Sequence, residues 1–255
     1  MAGTPYDAQF FRKIQEGSVS SAREIVPLVL ELLRPTSVID IGCGFGAWLS
    51  VFEEHGVTEF LGVDGDYVNR EALLIPKAQF MAHDLAVPLN LGRSFDLAVC
   101  MEVAEHLAES AAQIFIDSIT RHAPAALFSA AIPFQGGEHH LNEQWPDYWA
   151  RRFGLRGYLP VDCIRRRFWA NDRVEWWYAQ NAFFFAQKPY IDAHPALRAE
   201  LDRSGSQALS IVHPTLYLAR AEEAKRLEQA EELHRIATAR SFTRRLLGRI
   251  YPRSK

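Results

Sequence analysis

The run Val38-Ile39-Asp40-Ile41-Gly42-Cys43-Gly44-Phe45-Gly46 constrains this chain more than any other stretch. Its first residues suit a short buried strand. Three glycines follow at alternate positions, and Ala47-Trp48-Leu49 then opens an apolar helical pattern. Glycine lets a backbone take left-handed conformations and pass close to a ligand, and it opens the following helix N-terminus toward that ligand. The spacing Gly42, Gly44, Gly46 departs from the G-x-G-x-x-G of dinucleotide enzymes. Asp40, inside the strand end, would repel a diphosphate and attract an ammonium group.

The rest of the chain repeats the strand-helix alternation. Strands are expected at "EFLGVD", "AQFMAHD", "FDLAVCM" and "AALFSAAI", and helices at "AWLSVFEEHG" and "SAAQIFIDSITRHA". Alternation of this kind predicts a parallel sheet with helices on both faces. Two further strand-like runs, "VDCIRRRFW" and "AQNAFFFAQ", are separated only by "NDRVEWWY", too short for a crossover helix, so this end of the sheet is expected to be antiparallel. Ahead of the first strand, a helix over residues 6–16 is expected to stop at Gly17. A second is expected to start at Ser21 with Glu24 as its capping-box partner and to end at Pro35. The expected division is a helical cap over residues 1–35, a catalytic domain over 36–188 and an extension over 189–255. The extension carries a long helix over about 215–239 and a basic tail from Arg240. Residues 190–214 show no clear periodicity.

Acidic residues stand at the strand ends. Asp64 closes the second strand, where a carboxylate can accept hydrogen bonds from ribose hydroxyls, with Asp66 as its rival; Asp84 closes the third, within reach of an adenine amino group. Together, Asp40 to Gly46, Asp64, Asp84-Leu85 and "FDLAVCMEVAEHL" at 95–107 resemble the class I methyltransferases that use S-adenosylmethionine (SAM). The resemblance covers roughly residues 37–188. It implies an α/β, Rossmann-like seven-stranded sheet, mostly parallel with an antiparallel last strand. It also implies a cofactor site in which Asp40 and Gly42 flank the methionine end, Asp64 holds the ribose and Asp84 the adenine, with Gly44, Gly46, Leu85 and Met101 completing it. In many relatives a leading helix folds over the cofactor as a lid; Tyr6, Phe10 and Phe11 are either such contacts or ordinary core aromatics.

Beyond the fourth strand comes "MEVAEHL". If residues 102–106 form one helical turn, Glu102, Glu105 and His106 share a face. Two carboxylates and an imidazole suit a divalent cation, Mg²⁺, Mn²⁺ or Fe²⁺, with His140 as a candidate fourth ligand. The turn resembles the Glu-x-x-Glu-His of ubiquinone-pathway O-methyltransferases and of metal-dependent RNA 2′-O-methyltransferases. Equally, these residues can shape the methionine pocket or supply acid-base chemistry without a metal. "HHLNEQWPDYW" at 139–149 resembles a segment of bacterial methyltransferases acting on saccharides and other small metabolites. It favours His140 over His139, and its Asn142, Glu143 and Gln144 suit a polyhydroxylated acceptor, with Trp145, Tyr148 and Trp149 available to stack on a sugar or to enter the core. His140, His106 and Glu143 are the candidate catalytic residues.

Methyl transfer is an in-line displacement at an already activated methyl group, so the protein must align the acceptor and, for an alcohol, help remove its proton. The first expectation is therefore O-methylation of a saccharide, glycoside or other small metabolite. Alternatives are a metal-dependent RNA 2′-O-methyltransferase and a non-catalytic SAM-fold protein that binds a partner, or a second copy as a homodimer, through its long helix. The net charge of -3 speaks against nucleic acid. Arg165, Arg166 and Arg167 could serve an anionic acceptor or form a solvated strand face. Three widely spaced cysteines, no signal-like segment and no membrane-length apolar run predict a cytoplasmic protein without disulfides.

Overall fold

A computed structural model describes the backbone of residues 8–205 and 208–250 and the side chains of residues 16–205 and 208–235. Seven strands form one sheet, in chain order β1 (Ser37–Ile41), β2 (Glu59–Asp64), β3 (Phe80–Ala82), β4 (Leu97–Met101), β5 (Ala125–Ser129), β6 (Tyr158–Val161) and β7 (Phe183–Gln187). In space the order is β3-β2-β1-β4-β5-β7-β6. Pairings from β3 through β5 are parallel, and β7 runs antiparallel to both β5 and β6. The Rossmann-like sheet expected of this sequence is thus present, with its antiparallel last strand.

The strands bury both faces, and their side chains alternate between two cores. Leu97, Val99 and Met101 of β4, with Leu127 of β5 and Phe184 of β7, pack on one side. That side is covered by α1 (Ala8–Leu33) and α2 (Ala47–Glu54). Ala98 and Cys100 of β4, Phe128 of β5, and Phe183 and Phe185 of β7 pack on the other. Here α3 (Ala112–His122) and α4 (Pro146–Gly154) close the core.

Two local expectations are corrected. The N-terminal segment is one helix, α1, and not two. Gly17 lies inside it, and a Cβ there would sit 2.4 Å from a carboxylate oxygen of Glu175. Ser21 does not cap a helix: its hydroxyl donates to the Gly17 carbonyl and accepts from the Glu175 N–H. The tryptophan-arginine region is not strand either. "IRRRF" forms α5 (Ile164–Phe168) and "WWYAQN" forms α6 (Trp176–Asn181). Its arginines are spent on ion pairs, Arg165 with Asp162 and Arg166 and Arg167 with the buried Glu200.

After β7, α7 (Lys188–Ala193) and α8 (Pro195–Ser204) occupy the stretch that lacked a periodic signal. Ile191 and Leu197 enter the core beside α1, and the compact unit runs to Ile211. A second unit consists mainly of α9 (Pro214–Ile250), whose described side chains over 217–235 are exposed. Tyr6 and the side chains of Phe10 and Phe11 lie outside the described residues, as do the side chains of the basic tail. Among the described residues no helix is long and apolar enough to cross a membrane. All three cysteines are free and buried.

Candidate active site

The carboxyl ends of β1, β2 and β4 open onto a cavity of about 710 Å³. It is lined by Gly42 and Gly44 from the glycine turn, by Asp64 and Tyr67, by Asp84 and Leu85, and by Glu102, Val103 and His106. Of the proposed cofactor residues, five line it: Gly42, Gly44, Asp64, Asp84 and Leu85. Met101 does not; strand alternation turns it into the core on the α1 side. Gly46 is the N-cap of α2, with φ 82, and a Cβ there would collide with Ile75.

The glycine turn is shaped by its protein neighbours. Gly42 has φ 92, and a Cβ on it would lie 2.4 Å from a methyl of Val103. The N–H of Gly44 donates to Asp64 Oδ2 at 2.7 Å, while Asp64 Oδ1 accepts from the Gly65 N–H and the Tyr67 hydroxyl, each at 2.6 Å. Asp64 therefore ties the ends of β1 and β2 together. Behind the turn, Asp40 is buried and its Oδ2 has no hydrogen-bond partner. Burial, then the charge of Asp64, pushes its pKa well above the usual carboxylate range. A buried acid without a cation is what a positively charged ligand end would relieve.

Glu105, His106 and His140 come together: one ligand atom of each lies within 4.8 Å of the others. Glu105 is fully buried; its Oε1 accepts from the Ala131 N–H, and its Oε2 has no partner. Burial and the neighbouring Glu102 charge raise its pKa well above the ordinary value. The His106 and His140 rings meet edge to face at 4.8 Å between centroids. Burial, then the charge of His140, lowers the pKa of His106.

Glu102 is absent from this cluster for a backbone reason. It sits at φ 56, and the 3₁₀ turn begins only at Ala104, so residues 102–106 are not the single helical turn that would place all three side chains on one face. Its carboxylate instead accepts from Gln135 Nε2 at 2.8 Å and Asn181 Nδ2 at 3.1 Å.

The loop after β5 presents His140. Glu143 organises that loop, accepting from the N–H groups of Phe134 (2.7 Å) and Gly136 (2.9 Å) and from His140 Nδ1 (2.9 Å). With Nδ1 engaged, Nε2 is the atom left to His140 for chemistry. Glu143 does not line the cavity. His139 has φ 59 and is exposed, and its carbonyl accepts from His106. Asn142 is buried, and Gln144 donates to its Oδ1. Trp149 is in the core against Phe128, whereas Trp145 remains 39% exposed.

Sequence reasoning missed Gln135 and Asn181. The available signal was two amides, Gln180 and Asn181, interrupting an apolar run before β7, and a glutamine just ahead of Gly136-Gly137. Buried amides of that kind need partners.

Residues 11–173 match a family model described as a methyltransferase domain. No curated protein matches the sequence. Among solved structures, the chain resembles the sugar N-methyltransferase KedS8 from Streptoalloteichus sp ATCC 53650. The TM-score is 0.57 at 15% identity, over 73% of this chain and 97% of that one. It also resembles DesVI from Streptomyces venezuelae, with TM-score 0.52 and 14% identity over 70% of this chain and 95% of that one. An O-methyltransferase family protein from Burkholderia thailandensis gives TM-score 0.51 and 16% identity over 71% of this chain and 60% of that one. A match that spans more than half of the sequence, on this fold, places the chain in the methyltransferase-domain family as a class I SAM-dependent methyltransferase.

Proposed function

We propose that this enzyme methylates a hydroxyl group of a saccharide, glycoside or other small metabolite. The observation that carries this reading is the meeting of Glu105, His106 and His140, of which His106 lines the cofactor cavity. A sulfonium methyl needs no activation, so an acid-base or metal-binding cluster is required only where the acceptor is a poor nucleophile, as an alcohol is. A small acceptor suits the modest negative charge of the chain. The names of two structural neighbours, a sugar N-methyltransferase and an O-methyltransferase family protein, support the acceptor class.

In this reading the nucleoside of SAM lies toward Asp64, Asp84 and Leu85, and its methionine end toward Asp40 and Gly42. The buried, partnerless Oδ2 of Asp40 fits a cationic ligand end. His140 takes the acceptor proton at Nε2, its ring fixed through Nδ1 by Glu143. Asn142 and Gln144 provide polar contacts at the acceptor mouth and Trp145 an apolar face. Glu105, His106 and His140 also fit a divalent cation such as Mn²⁺: the donors are one carboxylate and two imidazoles, and Glu105 Oε2 has no other partner. When bound, such an ion would lower the pKa of an acceptor hydroxyl.

The test has two stages. S-adenosylhomocysteine should raise the melting temperature of the protein. Labelled SAM should then transfer its methyl group to members of a glycoside panel, and His140→Ala should abolish that transfer. Absence of a thermal shift would remove the cofactor placement. Turnover that survives His140→Ala would remove the catalytic assignment.

A further inference from the structure

Glu102 is held by a device that neither the base nor the metal reading uses. Its left-handed backbone is pinned where its N–H donates to the carbonyl and the hydroxyl of Ser129, both at 3.0 Å. Its two carboxylate oxygens accept from different amides, Oε2 from Gln135 Nε2 and Oε1 from Asn181 Nδ2. The oxygens of those amides are satisfied from behind. Gln135 Oε1 accepts from Asn181 Nδ2 at 2.8 Å, from Gln180 Nε2 at 3.3 Å and from the Ile132 N–H at 3.3 Å. Asn181 Oδ1 accepts from Gln180 Nε2 at 2.8 Å.

This network has a direction. The oxygens of Gln135 and Asn181 accept from within the protein, and the side-chain N–H groups of both donate to Glu102. Gln135, Gln180 and Asn181 are 8%, 1% and 2% exposed, so breaking one bond would strand a buried polar group. Burial raises the pKa of Glu102, and the neutral donors aimed at both of its oxygens oppose that rise by favouring the charged form. Glu102 also lines the cavity, as do Gly42, Val103 and His106.

We propose that Gln135 and Asn181 are positioning residues that hold Glu102 as an anionic wall at the reaction end of the cavity, selecting a cationic cofactor centre over a neutral one. This rests on the cofactor placement given above. SAM carries a sulfonium and its product a neutral thioether, so a fixed carboxylate favours the substrate form and weakens retention of the product. The benefit falls on cofactor exchange, because a carboxylate that attracts the sulfonium does not by itself lower the barrier to its attack.

The experiment compares two probes by titration calorimetry, S-adenosylhomocysteine and sinefungin, the latter carrying a protonated amine near the position of the sulfonium methyl. Wild-type protein should bind sinefungin about tenfold more tightly than S-adenosylhomocysteine. That preference should collapse toward unity in Glu102→Gln and in Gln135→Leu. Because both probes carry the same nucleoside and amino-acid ends, the ratio is blind to loss of general affinity. The near-isosteric Glu102→Gln variant carries the test should Gln135→Leu fail to fold. A wild-type ratio near one, or an unchanged ratio in Glu102→Gln, would overturn the inference while leaving the cofactor placement intact. Failure of wild type to bind either probe would overturn both.

Discussion

Gly42→Ala should separate what the glycine turn does for folding from what it does for binding. At φ 92 an alanine pays for a left-handed backbone, about 1–2 kcal/mol. Its Cβ also meets Val103 methyl carbons at 2.4 and 2.5 Å, an overlap that costs roughly a further 1–3 kcal/mol once neighbours shift. The total, about 2–5 kcal/mol, corresponds in a domain of this size to a fall in melting temperature of at least about 4 °C. Gly44 supplies the control. It too is left-handed, at φ 53, but a Cβ there meets nothing within 4 Å. Gly44→Ala should therefore cost only the backbone part, about 1–2 kcal/mol. Scanning calorimetry on Gly42→Ala, Val103→Ala and the double variant closes the cycle, and the pair should show a coupling of about 1–3 kcal/mol in favour of the double variant. Equal melting temperatures for Gly42→Ala and Gly44→Ala, with no coupling to Val103, would refute the steric argument.

Three further outcomes follow from other parts of the structure. His122 is buried with Nδ1 against the Ser118 carbonyl and Nε2 accepting from the Leu91 N–H, so the fold needs it neutral; burial is the first cause lowering its pKa. Its contribution is full above the unfolded value of about 6.5 and is lost as pH falls below that, toward the folded pKa. Urea melts at pH 7.5 and 5.5 should thus show a loss on acidification that His122→Asn reduces. Trp149→Ala, removing a ring packed on Phe128, should cost about 3–5 kcal/mol in the same melts, and a loss below about 1 kcal/mol would place the ring outside the core. Glu105→Gln should abolish calorimetric binding of Mn²⁺ while Glu102→Gln leaves it unchanged, because only Glu105 belongs to the three-residue cluster; equal losses would put both carboxylates on the ion.

What the sequence reveals here is what short-range geometry determines. The strand, glycine turn and helix at 38–54 are legible because burial, φ and helix start are all set within a few residues; Asp64 is legible because it ends β2, whereas Asp84 stands two residues beyond the end of β3. The failures have equally local causes. Gly17 has the residue type of a helix stop, but α1 runs through it, and its missing Cβ leaves room for Glu175, over 150 residues away in sequence. "IRRRF" fits an exposed strand face or a helix turn equally well. Asp162 at i−3 from Arg165, together with Glu200 on α8, decides for the helix. The Glu102-Glu105-His106 face assumed regular helix from residue 102, and one left-handed residue removes Glu102 from it.

Gln135 and Asn181 show a limit of a different kind. They lie 46 residues apart, and neither carries a motif. Topology brings them together. Because β7 is antiparallel to β5, its first residue, Phe183, pairs with Phe128 near the carboxyl end of β5. The residues just before β7 therefore arrive at the same sheet edge as those just after β5, which is also the edge where β4 ends and Glu102 begins. Had β7 been parallel, Asn181 would stand at the opposite edge, a full strand length from the cavity. The antiparallel strand thus lets a segment distant in sequence close the reaction end of the site. The antiparallel sheet end expected from the sequence is present, but β6 lies at Tyr158–Val161, ahead of two helices, and only the register of β7 on β5 identifies Asn181.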